Sequence, residues 1–207
     1  MSYPDAWGLK YEEVQSLTWL AYKGRGTPGR WSFPNTGGTW NLVNVYEKGS
    51  FRAVIVKDSS RTILSISGTD DAGDWVDNIG QGMTGVSGQY LYALKVANAT
   101  APDIVVGHSL GGGMASYCSL YGGRHSATIN PAPLNINLVS GVQMIRHGNL
   151  VINYVVGGEV LDLLDAAMVN MMKVGRTYRV GSHGGFNPVN RHSIGNLDGF
   201  AEPQKIQ

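Results

Sequence analysis

The sequence predicts an α/β fold in which a mostly parallel central sheet, with helices on both faces, follows an N-terminal antiparallel meander. Three short runs rich in Val, Ile and aromatic residues, separated by polar turns, indicate the meander; they cover residues 40–46, 51–57 and 62–67. Beyond residue 73, short apolar strands alternate with segments of helical period, which is typical of a parallel sheet covered on both faces. At 207 residues the chain suits one domain, residues 1–207.

The individual elements follow from the hydrophobic period of each segment. Apolar residues at helical spacing predict helices at residues 10–22, 75–80, 88–99, 110–121, 160–172 and 192–200. Further strands are predicted at residues 104–107, 127–130 and 150–156. Residues 24–38 are rich in glycine and proline, which predicts an irregular loop. Trp31 and Phe33 lie in that loop, where their rings either pack in the core or form a flap that contacts substrate.

Composition excludes several classes of protein. Lys plus Arg number 16 and Asp plus Glu 15, so the charge of +1 offers nothing to attract a nucleic acid. Cys118 is the single cysteine, which excludes an internal disulfide framework. Residues 1–10 lack the features of a secretory signal, and no apolar stretch reaches the ~18 to 20 residues that span a bilayer. We expect a soluble protein, cytoplasmic by default, with export by a signal-independent route left open.

The motif that carries most of the chemistry is Gly-His-Ser-Leu-Gly at residues 107–111. It matches G-x-S-x-G and lies between an apolar strand and a helix, as the nucleophile elbow of an α/β-hydrolase fold requires. A serine in such a turn has a strained backbone, and glycine neighbours let the strand and the helix approach each other. The helix N-terminus also favours a developing oxyanion. Ser109 is therefore the predicted nucleophile.

A serine hydroxyl needs a histidine to accept its proton. His192 and His183 both follow the last strong strand. We favour His192, because the apolar period after it predicts a helix over 192–200 as a rigid mount, whereas His183 lies in a glycine-rich turn. The ring of His108, next to the nucleophile, should point away from the reacting side and pack or hydrogen-bond at the sheet edge; it is also a candidate substrate contact. The histidine spacing and the single cysteine fit no metal site, and no cofactor is expected.

An acid must orient the histidine, and Glu159 is the predicted one. It follows an apolar strand, at the sheet edge where open α/β sheets keep their sites. Asp162 and Asp165 compete with it, but Asp162 falls opposite the apolar face of the next helix and looks solvated. A helix N-cap would also account for Glu159. The order Ser, acid, His agrees with the α/β-hydrolase arrangement.

The oxyanion needs two preorganised donors. One is the backbone N–H of Leu110, which directly follows the nucleophile. The other must come from a loop after an earlier strand, and Thr69 could supply its backbone N–H and its hydroxyl there.

Several ordered motifs together resemble those of the class 3 (fungal-type) lipase family and its bacterial phospholipase-like branch. They span roughly residues 52–200 and comprise Thr62-Ile-Leu-Ser-Ile-Ser-Gly-Thr69, Asp74-Trp-Val-Asp-Asn78, Gly107-His-Ser-Leu-Gly-Gly112, Asn130-Pro-Ala132, Gly158-Glu-Val-Leu161 and Arg191-His-Ser193. The resemblance implies hydrolysis of lipid or other esters without a catalytic metal. The chain departs from the family in having Glu159 where many members have Asp, and in its short length, which implies a missing or reduced lid.

These observations predict a serine hydrolase that cleaves carboxylic esters, those of phospholipids included, through an acyl-enzyme. The expected partner is a lipid or small ester, with transient contact to a membrane surface through Trp31 and Phe33. One alternative is a hydrolase scaffold kept as a catalytically silent binding module. Another is acyl transfer or peptide hydrolysis with the same triad.

Overall fold

The structure is a computed structural model that describes residues 3–68, 86–167 and 170–206. Its strands are β1 (Gly29–Phe33), β2 (Gly38–Lys48), β3 (Phe51–Lys57), β4 (Thr62–Ile66), β5 (Ile104–His108), β6 (His125–Ile129), β7 (Leu134–Asn135), β8 (Val151–Val156), β9 (Met171–Met172), β10 (Arg176–Val180) and β11 (Gln204–Ile206). Its helices are α1 (Tyr11–Leu20), α2 (Val86–Thr100), α3 (Leu110–Gly122), α4 (Gly141–His147), α5 (Val160–Ala167) and α6 (Pro188–His192). The helix predicted at residues 75–80 lies outside the described residues.

Nine of these strands form one sheet in the order β10-β8-β6-β5-β4-β3-β2-β1-β11. Neighbouring strands are parallel from β10 to β4 and antiparallel from β4 to β11. The strands predicted as a meander are β2, β3 and β4, and they pair antiparallel. The described sheet has four parallel and four antiparallel pairings, because β10 extends the predicted parallel part and β1 and β11 extend the antiparallel part; none of these three strands was predicted.

Helices cover both faces of the sheet. Side chains alternate between the faces of a strand, and β3 shows the result: Val54 and Val56 lie in a buried cluster with α1, whereas Ala53 and Ile55 lie in a second cluster with α2 and α3. Each buried aliphatic side chain of this kind contributes about 1.5–3 kcal/mol by leaving water. Since β4, β5, β6 and β8 are parallel, their carboxyl ends meet at one edge of the sheet.

The segment predicted as an irregular loop contains a strand. Gly29–Phe33 is β1, which pairs with both β2 and β11. Trp31 is 6% exposed and Phe33 is fully buried, and Phe33 stacks on Trp40 with ring centroids 5.9 Å apart. The flap prediction is therefore wrong, since both rings belong to the core. Rings buried in this way do not reach substrate or a lipid surface, so core packing is the correct alternative.

Two predicted helices also differ from the structure. Of the helix predicted over 160–172, the structure describes Val160–Ala167, and Met171–Met172 is a short strand paired with β7 instead of helix. The helix predicted to begin at His192 instead ends there. Asn187 caps α6 by accepting a hydrogen bond from the backbone N–H of Val189 at 2.9 Å, and Pro188 occupies the first turn, where its fixed φ and missing N–H are tolerated. No helix within the described ranges is both long and apolar enough to cross a membrane.

Candidate active site

The nucleophile elbow lies between β5 and α3. Ser109 has φ 59° and ψ −128°, a left-handed backbone conformation that is strained for a residue with a side chain. A Cβ added to Gly107 would overlap the carbonyl of Gly111, and one added to Gly111 would overlap the carbonyl of Ile66. Both glycines of the motif are thus needed for the strand and the helix to approach, which is the physical reason for the sequence pattern.

The main chain of Ser109 is tied to the neighbouring strand. Its N–H donates to the carbonyl of Ile129 at 3.1 Å, and its carbonyl accepts from Ala132 at 2.8 Å and from Gly113 at 3.1 Å. These three hydrogen bonds over-determine the strained turn, which can persist only where the surrounding structure holds it. Ser109 is 4% exposed.

The structure brings His192 and Glu159 together in a buried pair. Nδ1 of His192 lies 2.6 Å from Oε2 of Glu159, and the two residues are 3% and 0% exposed. A carboxylate only accepts hydrogen bonds, so Nδ1 of His192 carries the proton in this contact. The neutral ring then has its lone pair on Nε2, the nitrogen that a serine base requires.

Glu159 also caps α5. Its carboxylate accepts from the backbone N–H of Leu161 at 2.9 Å and of Asp162 at 2.6 Å. The cap and the histidine partner, which the sequence presents as alternatives, are therefore two contacts of the same side chain. The helix N-terminus holds the carboxylate rigidly, and this fixes the position of the histidine ring.

Asp162, in the first turn of α5, has partners other than a histidine. It accepts from the N–H of Gly158 at 3.0 Å and pairs with Arg179 at 2.8 Å. Burial raises the pKa of Asp162, but the hydrogen bond from Gly158 and the charge of Arg179 outweigh burial and hold the pKa below its usual value. Among the described residues, Asp162 makes no contact of this kind with a histidine. The side chain of Asp165 lies outside the described part of the chain.

His183 lies on the surface. Its side chain is 77% exposed, and Nε2 lies 3.2 Å from Oδ1 of Asp198, which is itself 41% exposed. An exposed pair of this kind contributes little to stability. Of the two candidate histidines, His192 therefore contacts a buried carboxylate, whereas His183 contacts an exposed one.

His108 is buried beside His192, with ring centroids 4.7 Å apart. Nδ1 contacts the hydroxyl of Tyr22, and Nε2 lies 2.7 Å from the carbonyl oxygen of His192. Both ring nitrogens are therefore engaged inside the protein. The interpretation of His108 as a hydrogen-bonding substrate contact is not supported, whereas the expected hydrogen bonding at the sheet edge is present.

The two predicted oxyanion donors differ in what the structure describes. Leu110 begins α3 directly after Ser109, while Thr69 lies outside the described residues. Gly68, the last described residue before that gap, lies against the elbow: a Cβ there would be 2.9 Å from the Cβ of Ser109 and 3.0 Å from the carbonyl oxygen of His108. The chain after β4 therefore reaches the nucleophile, and Thr69 stays a prediction.

Two further residues contact the site without having been assigned a role from the sequence. Tyr22 follows α1 and contacts His108, and Asn130 follows β6 and donates to the carbonyl of His192 at 3.1 Å. The Asn-Pro-Ala turn was recognised as a motif, but the sequence carries no signal of the long-range contact that gives it a function. Within the described residues, no three His, Cys, Asp or Glu side chains are grouped as metal ligands.

The fold and the elbow together define a lipase-like α/β scaffold. A solved structure described as that of M37 lipase matches 74% of this chain and 69% of its own with a TM-score of 0.53, and the two sequences are 12% identical. At that identity the match shows the fold alone. Residues 32–186 match the Tle-like phospholipase domain, so the chain belongs to the phospholipase-like family.

A curated relative supports the family assignment over part of its length. An extracellular phospholipase A1 from Serratia liquefaciens is 35% identical over 96 residues, which are 44% of this chain. The match covers 30% of that protein.

Proposed function

We propose that this protein is a serine hydrolase that cleaves carboxylic ester bonds of phospholipids through an acyl-enzyme. The observation that carries the proposal is the buried pair of His192 and Glu159, at 2.6 Å, in a chain of the phospholipase-like family that also has a serine at a strained elbow. The resemblance to class 3 lipases supports the same assignment.

In the first half of the reaction the Oγ of Ser109 attacks the ester carbonyl carbon, and Nε2 of His192 takes the hydroxyl proton. Glu159 accepts the hydrogen bond from Nδ1 and stabilises the imidazolium that forms. The backbone N–H groups of Leu110 and Thr69 hold the oxyanion. Collapse of the tetrahedral intermediate breaks the ester bond, and the proton on Nε2 passes to the leaving alcohol.

In the second half, water attacks the acyl-enzyme and gives up a proton to His192. The carboxylic acid leaves, and the proton returns to the Oγ of Ser109. Every proton that moves is carried by His192, so the mechanism depends on a ring that keeps its place between Glu159 and the nucleophile.

The substrate is proposed from the family and from the curated relative, whose name specifies the A1 position. A phosphatidylcholine with different acyl chains at its two positions tests this directly, because mass spectrometry identifies which fatty acid is released. We expect release from the first position. Release from the second position only, or hydrolysis of triglyceride alone, would contradict the assignment.

The first prediction concerns the nucleophile. Ser109→Ala should lower kcat by on the order of 10⁴-fold or more, since the groups of a triad act as a unit. Ser116→Ala is the matched control, because Ser116 is a buried serine on α3 whose hydroxyl donates to the Gly112 carbonyl at 3.0 Å. Initial rates on a chromogenic short-chain ester measure both. Equal measurable rates for Ser109→Ala and the wild type would exclude this mechanism, whereas no turnover by either protein would favour a binding module.

The cytoplasmic location stays a prediction from the sequence. The Serratia relative is named extracellular, which supports the alternative of export by a signal-independent route. Immunoblotting of cell and medium fractions from the native host distinguishes the two locations.

A further inference from the structure

The backbone carbonyl of His192 accepts two buried side-chain hydrogen bonds. Nε2 of His108 lies 2.7 Å from this oxygen, and Nδ2 of Asn130 donates to it at 3.1 Å. The three residues are 6%, 0% and 3% exposed for His108, Asn130 and His192. We call His108 and Asn130 the carbonyl clamp. It holds the main chain of the base, whereas Glu159 holds its ring.

The donor roles in the clamp follow from its partners. A carbonyl oxygen only accepts, so His108 carries its proton on Nε2 and, when neutral, accepts at Nδ1 from the hydroxyl of Tyr22. Burial lowers the pKa of His108 well below its usual value, and the neighbouring His192 adds to this effect. The ring therefore keeps the neutral form that the clamp requires.

Asn130 is oriented equally firmly. Its Oδ1 accepts from the backbone N–H of Val156 at 2.9 Å, which turns Nδ2 towards His192. Its own N–H donates to the carbonyl of Tyr154 at 2.8 Å, and its φ is 41°, a conformation that asparagine tolerates better than most residues. Two residues further on, Ala132 donates to the carbonyl of Ser109.

The turn at residues 130–132 thus contacts the main chain at three places in the site. It bonds to the nucleophile, to the base, and to β8, the strand that leads to the acid. This convergence accounts for the Asn-Pro-Ala motif, which the proposed mechanism itself does not use. A turn in contact with all three elements can set their spacing.

Resting on the proposed function, we propose that Asn130 and His108 are positioning residues that hold His192 in register with Glu159 and Ser109 through its backbone carbonyl. His192 is the last residue of α6, and Ser193 is already extended. The helix therefore does not continue to fix the main chain beyond the base, and the clamp does so instead. A shift of 1 Å in such a group can cost about 100-fold in rate.

The test compares one substitution at two buried asparagines. Asn130→Asp removes the donor to His192 but keeps the acceptor for Val156. Asn153→Asp is the matched control: Asn153 is fully buried on β8, accepts from Thr128 at 2.6 Å and donates to the carbonyl of Val174 at 2.8 Å, away from the site. Both variants replace a buried amide that donates to a main-chain carbonyl.

We expect kcat of Asn130→Asp to fall on the order of 10- to 100-fold, with KM changed by less than about threefold. The acidic limb of its kcat–pH profile should move to higher pH, because a carboxylate near His192 favours the protonated ring. Asn153→Asp should lower the melting temperature. It should leave kcat per folded molecule and the acidic limb of the kcat–pH profile unchanged. A kcat loss shared by both variants, or an unmoved limb in Asn130→Asp, would overturn the proposal.

A second pair of variants tests the other half of the clamp. His108→Gln can still donate to the His192 carbonyl and accept from Tyr22, whereas His108→Met fills a similar volume without polar atoms. We expect His108→Gln to recover at least about 10-fold of the kcat that His108→Met loses. Equal activity of the two variants at equal folded fraction would show that only the packing of His108 matters.

A readout that needs no turnover separates this inference from the proposed function. In ¹⁵N-histidine-labelled protein, the signal of His192 is identified by its loss in His192→Gln. The ¹H chemical shift of the proton on Nδ1 of His192, which is hydrogen-bonded to Glu159, should change in Asn130→Asp and stay the same in Asn153→Asp. If the wild type hydrolyses no lipid while this difference in chemical shift is present, the proposed function fails and the positioning role stands. If the chemical shift is unchanged in both variants, the positioning role fails.

Discussion

At the residue scale, one contact of His192 is to a carboxylate, that of Glu159, and two of its other side-chain partners, His108 and Asn130, are neutral. Glu159 is the only carboxylate that contacts either buried histidine among the described residues, and it also caps a helix. His108 lies against His192 but stays neutral, because burial disfavours its charged form. A second cation next to the base would oppose the imidazolium that the proposed mechanism requires, and the neutral ring avoids this.

The neutral His108 predicts acid sensitivity. In the unfolded chain it binds a proton below its usual pKa of 6.5, whereas in the fold it does not. The unfolded state then holds more protons, so the free energy of unfolding falls as the pH drops below about 6.5, by at most about 1.4 kcal/mol per pH unit. Guanidinium unfolding at pH 7.5 and 5.5 should show a smaller loss for His108→Gln than for the wild type. Equal losses would show that His108 is not the group responsible.

At the element scale, the helix that carries His192, the proposed base, is a single turn. Asn187 caps α6 by accepting from the N–H groups of Val189 at 2.9 Å and of Asn190 at 3.3 Å. A helix of five residues cannot sustain itself in water, so it depends on this cap and on packing against α5. The cap of α5 is Glu159, and the two helices that hold the acid and the base are therefore each fixed at the N-terminus by a side-chain acceptor.

Loss of the α6 cap should be measurable as stability. We expect Asn187→Ala to lower the free energy of unfolding by about 0.5–2 kcal/mol, and Asn187→Asp, which keeps an acceptor, to lose less. Thermal and guanidinium unfolding measure both variants. A loss in Asn187→Asp as large as that in Asn187→Ala would show that the side-chain acceptor is not what stabilises the helix.

The elements were predictable from the sequence where local pattern decides the structure. The strands around β3 and the helix after Ser109 follow from apolar period and from glycine sterics. Edge strand β10 was missed because Arg176–Val180 is mostly polar and becomes a strand by pairing with β8. The start of α6 was missed because the prediction followed the apolar period after His192. That period belongs to a 3₁₀ turn, Ile194–Asn196, and the extended residues after it.

The sequence predicts the candidate catalytic residues, but it does not predict the residues that hold them in place. Ser109, Glu159 and His192 are the candidates because the proposed chemistry needs these residue types, and their order along the chain agrees with the α/β-hydrolase arrangement. Tyr22 and Asn130 reach the site through contacts 86 and 62 residues apart along the chain. No local period encodes such contacts, and only the folded sheet brings their partners to one edge.

At the scale of the whole molecule, exposed apolar side chains lie on the segments that carry Glu159 and His192. Phe186 is 99% exposed just before α6, and Leu163 is 52% exposed on α5, which contacts α6. Trp31 and Phe33, by contrast, are in the core. If the substrate is presented by a lipid surface, the exposed ring that can meet it from this part of the molecule is Phe186.

Replacing Phe186 with Ser should lower the rate on phospholipid vesicles by about 10- to 150-fold, since burial of one such ring is worth about 1.5–3 kcal/mol. The melting temperature and the rate on a soluble short-chain ester should not change. Ile145→Ser is the control, because Ile145 is 89% exposed on α4, which packs on α3. A vesicle rate that falls equally in both variants, or in neither, would contradict a role for Phe186.

His108 contacts both Tyr22 and the carbonyl of His192, and this has a consequence for biosynthesis. The site takes parts from near the start of the chain and from near residue 192, so a nascent chain that has not yet exposed His192 holds Ser109 without a base. At about 5–20 residues per second, roughly 4 to 17 s of translation separate the two residues. If the proposed function holds, a ribosome-bound chain hydrolyses no lipid during that interval.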